Sequence, residues 1–273
     1  MKKTLALLLV AATLMGTMTA CSQNNNADTP AAADPGIPTG LFTDDHKIPY
    51  GADQAIEGAA GVEREGDHPG SAYYAHPDFY TMQSSDTLTI LSGFKTIQQS
   101  TEWTCGLTCV LMVMDYYDMR GEMTEMDLVP LRENDKPGAT QLSQMIKTFE
   151  NLEGWDVYST YDLCDAQQVA YENAADLEVP YGFILETLKE GKPIIIGWDE
   201  WGGHYQVVIG YDTMGTETSA DDVLLLADPY DTTDHCQDGY VVHSFERLYF
   251  NWINTYDDEI SRNAFVVATP AAA

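Results

Sequence analysis

Gln99-Ser-Thr-Glu-Trp-Thr-Cys105-Gly106 leads directly into Leu107-Thr-Cys-Val-Leu-Met-Val-Met-Asp-Tyr-Tyr117. Leu107, Val110, Leu111, Val113, Met114 and Tyr117 lie around a helix with few polar positions, the pattern of a helix buried on most sides. Such a helix needs other elements packed around it, so this stretch anchors the core of a folded domain. It also places Cys105 in the first helical turn, where the positive end of the macrodipole favours a thiolate. Gly106 leaves the backbone beside the sulfur unobstructed. In isolation a buried structural cysteine at a helix start would look the same, because cysteine is among the most buried residue types.

Two later segments decide between those readings. Gly202-Gly-His204-Tyr-Gln-Val-Val-Ile-Gly210 reads as a turn feeding a buried strand, and Leu224-Leu-Leu-Ala-Asp228-Pro229 as a second strand ending in an acid. Thiol catalysis needs a sulfur, a base, a group that orients the base and a donor for the oxyanion. Cys105, His204, Asp228 and Gln99 fit those four roles. Each has an ordinary explanation alone: His204 as a turn residue in solvent, Asp228 as a strand terminator before Pro229, Gln99 as a surface amide like Gln98. Their joint occurrence, each in a suitable local context, points to nucleophilic catalysis.

The remaining elements follow from periodicity and caps. Residues 86–91 alternate like a strand. Thr140 is expected to cap a helix through Leu152, with Leu142, Met145, Ile146 and Phe149 on one face. Residues 181–190 read as a helix stopped by Gly191 and Pro193. Strands are expected at 194–196, 205–211, 223–227 and 264–268, and Ser244 caps a helix carrying Phe245, Leu248, Tyr249 and Trp252. Helices first and strands afterwards make an α+β layout.

The N-terminus carries a different kind of signal. Met1-Lys2-Lys3 precedes a mostly apolar stretch, 4–18, too short to span a bilayer as a stable helix. It ends in Met18-Thr-Ala-Cys21-Ser22, which resembles a bacterial lipoprotein signal cleaved before a lipidated Cys21; the alternative is an ordinary secretory signal cut near Ala20. Either places the mature chain outside the cytoplasm. Residues 22–45 hold few large apolar side chains, and 51–72 are rich in Gly, Ala and charge. The expected organisation is a signal at 1–20, a lipidated and largely disordered tether at 21–70 and a single domain at 71–273.

Composition narrows the partners. Against 43 Asp+Glu stand 13 Lys+Arg, a formal net charge of −30, and loss of Lys2 and Lys3 with the signal deepens it. Binding of nucleic acid or an anionic membrane through electrostatics is thereby disfavoured. The acidity suits a cationic peptide or protein substrate, or simply keeps an exposed protein soluble. No Cys-x-x-Cys or His-x-x-x-His pair provides a zinc set, and no cofactor is expected. Cys109, one turn after Cys105, reads as a core residue, while Cys164 and Cys236 are candidates for a disulfide. Asp228, Asp231, Asp234 and Asp238 form a run that lacks EF-hand spacing and reads as a solvated loop, with calcium as the alternative.

Gln-x-x-x-x-x-Cys-Gly opening a helix, then Gly-His-Tyr-x-Val-Val-x-Gly-Tyr-Asp, then Asp-Pro, resembles the papain-like cysteine peptidases related to bacteriocin-leader peptidases. The likeness covers roughly residues 80–268, and 242–252 fits that family's closing strand and helix. It implies a papain-like α+β fold with the nucleophile helix packed on an antiparallel sheet. It further implies Cys105 as nucleophile, His204 as base and then acid, and Asp228 as holder of the imidazole. Gln99, six residues before the cysteine as in the family pattern, is preferred over Gln98 as oxyanion donor beside the Cys105 N–H. The best-understood relatives cut leader peptides after paired glycines, a specificity not carried over here. The expectation is a membrane-anchored bacterial lipoprotein acting as a cell-surface cysteine peptidase. The alternatives are a transpeptidase-type acyltransferase, a cell-wall amidase and a catalytically silent binding lipoprotein.

Overall fold

The computed structural model describes residues 46–51, 54–59, 77–166, 179–198, 202–231, 236–252 and 263–272. The expected signal, Cys21 and most of the tether lie outside these residues. Strands β1 (Leu88–Ile90), β2 (Trp155–Ser159), β3 (Ile194–Trp198), β4 (His204–Asp212), β5 (Val223–Ala227), β6 (Tyr240–Ser244) and β7 (Ala264–Pro270) form one antiparallel sheet. Its order is β2-β7-β3-β4-β5-β6, with β1 also paired to β4. Helices α1 (Cys105–Tyr116), α2 (Glu125–Leu128), α3 (Leu142–Leu152), α4 (Thr160–Ala166), α5 (Phe183–Lys189) and α6 (Phe245–Asn251) pack around it. This is the α+β arrangement, a nucleophile helix on an antiparallel sheet.

β4 explains why its sequence is apolar without alternation. It pairs with β1, β3 and β5, and α1 and α5 both lie against it, so its first eight residues are buried. α1 is buried from Cys105 through Met114, each large side chain contributing about 1.5–3 kcal/mol on removal from water. At Gly106 an added Cβ would stand 3.1 Å from Met145 Cε and Thr140 Cβ and 3.4 Å from a Tyr205 ring carbon. The missing side chain thus brings the nucleophile end of α1 against α3 and β4.

Several local expectations shift. The cap of α3 is Gln141, whose N–H donates to Gln144 Oε1 at 3.1 Å, whereas the Thr140 hydroxyl accepts from Arg132 Nη1 at 3.0 Å. Ser244 caps α6 as expected, accepting from the Arg247 N–H at 3.3 Å. No disulfide joins Cys164 to Cys236, both being buried thiols. In the acidic run, Asp231 accepts from the Gly239 N–H and Asp238 from the Tyr240 N–H, so two acids brace a turn; Asp234 lies outside the described residues. Within the stretch expected as tether, 46–51 and 54–59 contribute packed residues. Ile48 and Ala59 are buried, and Ile48 N–H donates to Thr96 O at 2.9 Å.

Candidate active site

Sheet register brings the candidate base and acid together. β4 and β5 run antiparallel with Val207 opposite Ala227, so the first residue of β4 and the residue after β5 lie at one end of the sheet. The chain enters β4 through Gly202 and Gly203 at φ +85° and +117°, a backbone that L-residues adopt only at a cost. His204 and Asp228 meet there, Nε2 to Oδ1 at 2.6 Å, and they are 5% and 0% exposed.

The carboxylate is fully committed. Asp228 Oδ1 also accepts from the Tyr230 N–H at 2.8 Å, and Oδ2 accepts from Gln206 Nε2 at 2.8 Å. Its backbone donates to Gly239 O at 2.8 Å, and its carbonyl accepts from Gln98 Nε2 at 3.1 Å. Burial alone would raise its carboxyl, but the His204 imidazolium and these donors hold it below the usual carboxylate range.

Nε2 is bound to Asp228, and the imidazole lies within electrostatic reach of Cys105. Burial opposes the imidazolium. The charges and hydrogen bonds of Asp228 and Cys105 outweigh it and raise His204 to about 10. The arrangement therefore favours a charged imidazole at His204. Cys105 is only 7% exposed, and Cys109 behind it is a core thiol that burial, with Cys105 and Asp228 nearby, pushes well up.

The candidate oxyanion donors lie at the start of α1 and in the preceding loop. Thr104, at the N-cap, makes no side-chain cap, which leaves the first-turn N–H groups open, including that of Cys105. Both glutamines are buried, contrary to a surface reading, and they do different things. Gln98 braces Asp228. Gln99 donates its backbone N–H to Pro229 O at 2.7 Å and one Nε2 hydrogen to Thr101 O at 2.7 Å. An amide nitrogen carries two hydrogens, so one remains for a ligand.

Two contributors escaped the sequence reading. Gln206 occupies the variable position of Gly-His-Tyr-x-Val-Val, where nothing marks it as the anchor of Asp228. His243 had no readable partner; it sits edge-on to Trp198 with ring centroids 5.1 Å apart, within electrostatic reach of Asp228.

Fold and cysteine–histidine site together define a protein of the cysteine-peptidase fold. The family model described as the Peptidase_C39 like family matches residues 91–259, and the chain belongs to that family. Among solved structures, the chain is similar to the peptidase domain of Streptococcus ComA, a bi-functional ABC transporter involved in a quorum sensing pathway. The match has 18% identity, covers 66% of this chain and 99% of that one, and has a TM-score of 0.37. No curated protein matches the chain.

Proposed function

We propose that the protein is a cell-surface cysteine peptidase that hydrolyses peptide bonds through Cys105, His204 and Asp228, with Gln99 and the Cys105 N–H binding the oxyanion. The observation that carries this reading is the buried 2.6 Å His204–Asp228 contact, with Cys105 within electrostatic reach of the same imidazole. The thiolate attacks the scissile carbonyl carbon, and its oxygen takes the negative charge. Collapse of that intermediate breaks the C–N bond as His204 passes its proton to the leaving amine. Water then gives a proton to neutral His204 and attacks the thioester, which releases the acid and restores the thiolate–imidazolium pair.

The chain's net charge of −30 favours cationic peptides or proteins as substrates. The lipoprotein-like N-terminus would tether the enzyme to the outer face of a bacterial membrane through Cys21, and mass spectrometry of the mature N-terminus reads that modification. For the chemistry, the chain is incubated with a peptide library, acid-quenched and mapped for an acyl group on Cys105, with and without glycinamide. Acylated Cys105 with free acids as products supports the peptidase. Amide products only in the presence of glycinamide reassign it to acyl transfer, and an unacylated Cys105 with no products removes the enzyme reading.

A further inference from the structure

Glu125, the first residue of α2, is a fully buried carboxylate, and among the described residues no cation stands within ion-pair distance of it. Such a group persists only if hydrogen bonds replace its lost water. Three segments supply them. Ser100 N–H donates to both oxygens, at 3.1 and 3.3 Å; Thr108, one turn beyond Cys105, donates its hydroxyl to Oε1; and Gln54 donates its amide to Oε2. The Glu125 backbone is itself fixed by the capping box of Thr124 and Asp127.

Ser100 lies between Gln99 and Thr101, whose carbonyl holds the Gln99 amide. Its own carbonyl accepts the N–H groups of Glu57 and Gly58. Gly58 presses flat on this loop: a Cβ there would stand 2.5 Å from Thr101 O and 2.8 Å from Gln99 O, both unyielding backbone atoms. Tyr50 donates to Gln98 O at 2.5 Å. Residues 46–51 and 54–59 thus form a strap over the loop, and they lie outside the 91–259 family match.

We infer that Glu125 is a positioning residue that locks the Gln99 loop to the nucleophile helix and to the 54–58 strap, so that the oxyanion site of this chain is completed by a segment from outside the family domain. The inference rests on the peptidase reading above. Glu125 touches no reacting atom; it acts through Ser100 on where the Gln99 amide points.

Glu125→Gln in the full chain keeps the size but turns one acceptor into a donor, facing donors from Ser100, Thr108 and Gln54. Two probes separate positioning from folding. A panel of dipeptide aldehydes forms hemithioacetals whose oxygen needs the oxyanion site, whereas iodoacetamide reports only the thiolate. We expect aldehyde affinity and kcat to fall on the order of 10-fold, less than the roughly 10²–10³ for outright loss of an oxyanion donor. KM and the pH profile of alkylation stay as in wild type. Gly58→Ala, whose new methyl presses from the strap onto the Thr101 and Gln99 carbonyls, gives the same pattern. Parallel loss of alkylation and aldehyde binding in both variants, or no change in either probe, overturns the inference alone. A wild-type Cys105 with no reactive thiolate overturns the peptidase reading and this inference with it.

Discussion

The histidine–aspartate half of the site and the glutamine half are held in different ways. His204 and Asp228 are set by sheet register: antiparallel β4 and β5 deliver them to the same end, and local donors then fix the carboxylate. Gln99 sits on a loop without regular structure, fixed by the Pro229 carbonyl, by Glu125 and by a strap some forty residues upstream. The first half is rigid because the whole sheet would have to shear to move it. The second depends on a handful of side-chain and backbone contacts, so under the proposed mechanism it is where small changes tune turnover and leave the His204–Asp228 contact in place.

Substitutions can sharpen that contrast. Cys105→Ala should abolish peptide turnover while leaving the urea unfolding midpoint near wild type, since the thiol becomes a methyl in the same space. Asp228→Ala strands a buried imidazolium and the two donors from Tyr230 and Gln206; removing one partner of a buried pair costs about 3–5 kcal/mol, read by urea unfolding at neutral pH. Gln99→Ala belongs to the other half: kcat should drop about 10²–10³-fold with stability almost unchanged. If instead it unfolds the protein as Asp228→Ala does, the two halves are not mechanically separate. Gln206→Leu removes one hydrogen bond to a charged acceptor, about 1.5–3 kcal/mol, read by urea unfolding.

pH gives the broadest effect. His204 is raised from 6.5 to about 10, so its contribution to stability is complete below pH 6.5 and fades as pH rises through about 10. Asp228 is lowered from 3.8, so its contribution is present above that value and fades as pH falls through the depressed one. The urea midpoint should therefore be highest between about pH 4 and 6.5 and decline toward pH 10. His204→Gln should flatten the alkaline limb; an unchanged limb would show that other groups govern it.

What could be read from the sequence follows the same division. α1, β3, β4, β5 and β7 are covered on both faces or nearly so, and continuous apolar runs announce them. β2 was invisible: Trp155-Asp-Val-Tyr-Ser159 is an edge strand with exposed Asp156 and Tyr158, and its partner β7 lies over a hundred residues away. Glu125 carries no local mark, because a buried carboxylate is recognisable only once its three donors converge. The strap has a linker's composition, and its hold on 96–101 joins backbone hydrogen bonds, which leave no mark in sequence, to the Tyr50 hydroxyl on Gln98 O and the close approach of Gly58. Gln141 displaced Thr140 as a cap because Arg132, a buried guanidinium bonded to the carbonyls of Asn134, Lys136 and Gly138, claims the threonine hydroxyl.

The central claim is that one imidazole, held by Asp228, keeps the Cys105 sulfur as a thiolate. The rate of iodoacetamide alkylation of Cys105 against pH, with peptide mapping, in wild type and His204→Ala, measures this directly. Rapid alkylation persisting at pH 6, well below the free-cysteine pKa of about 8.5, and its loss in His204→Ala, is the predicted result. A Cys105 that reacts only at alkaline pH, with the same profile in both proteins, would contradict it.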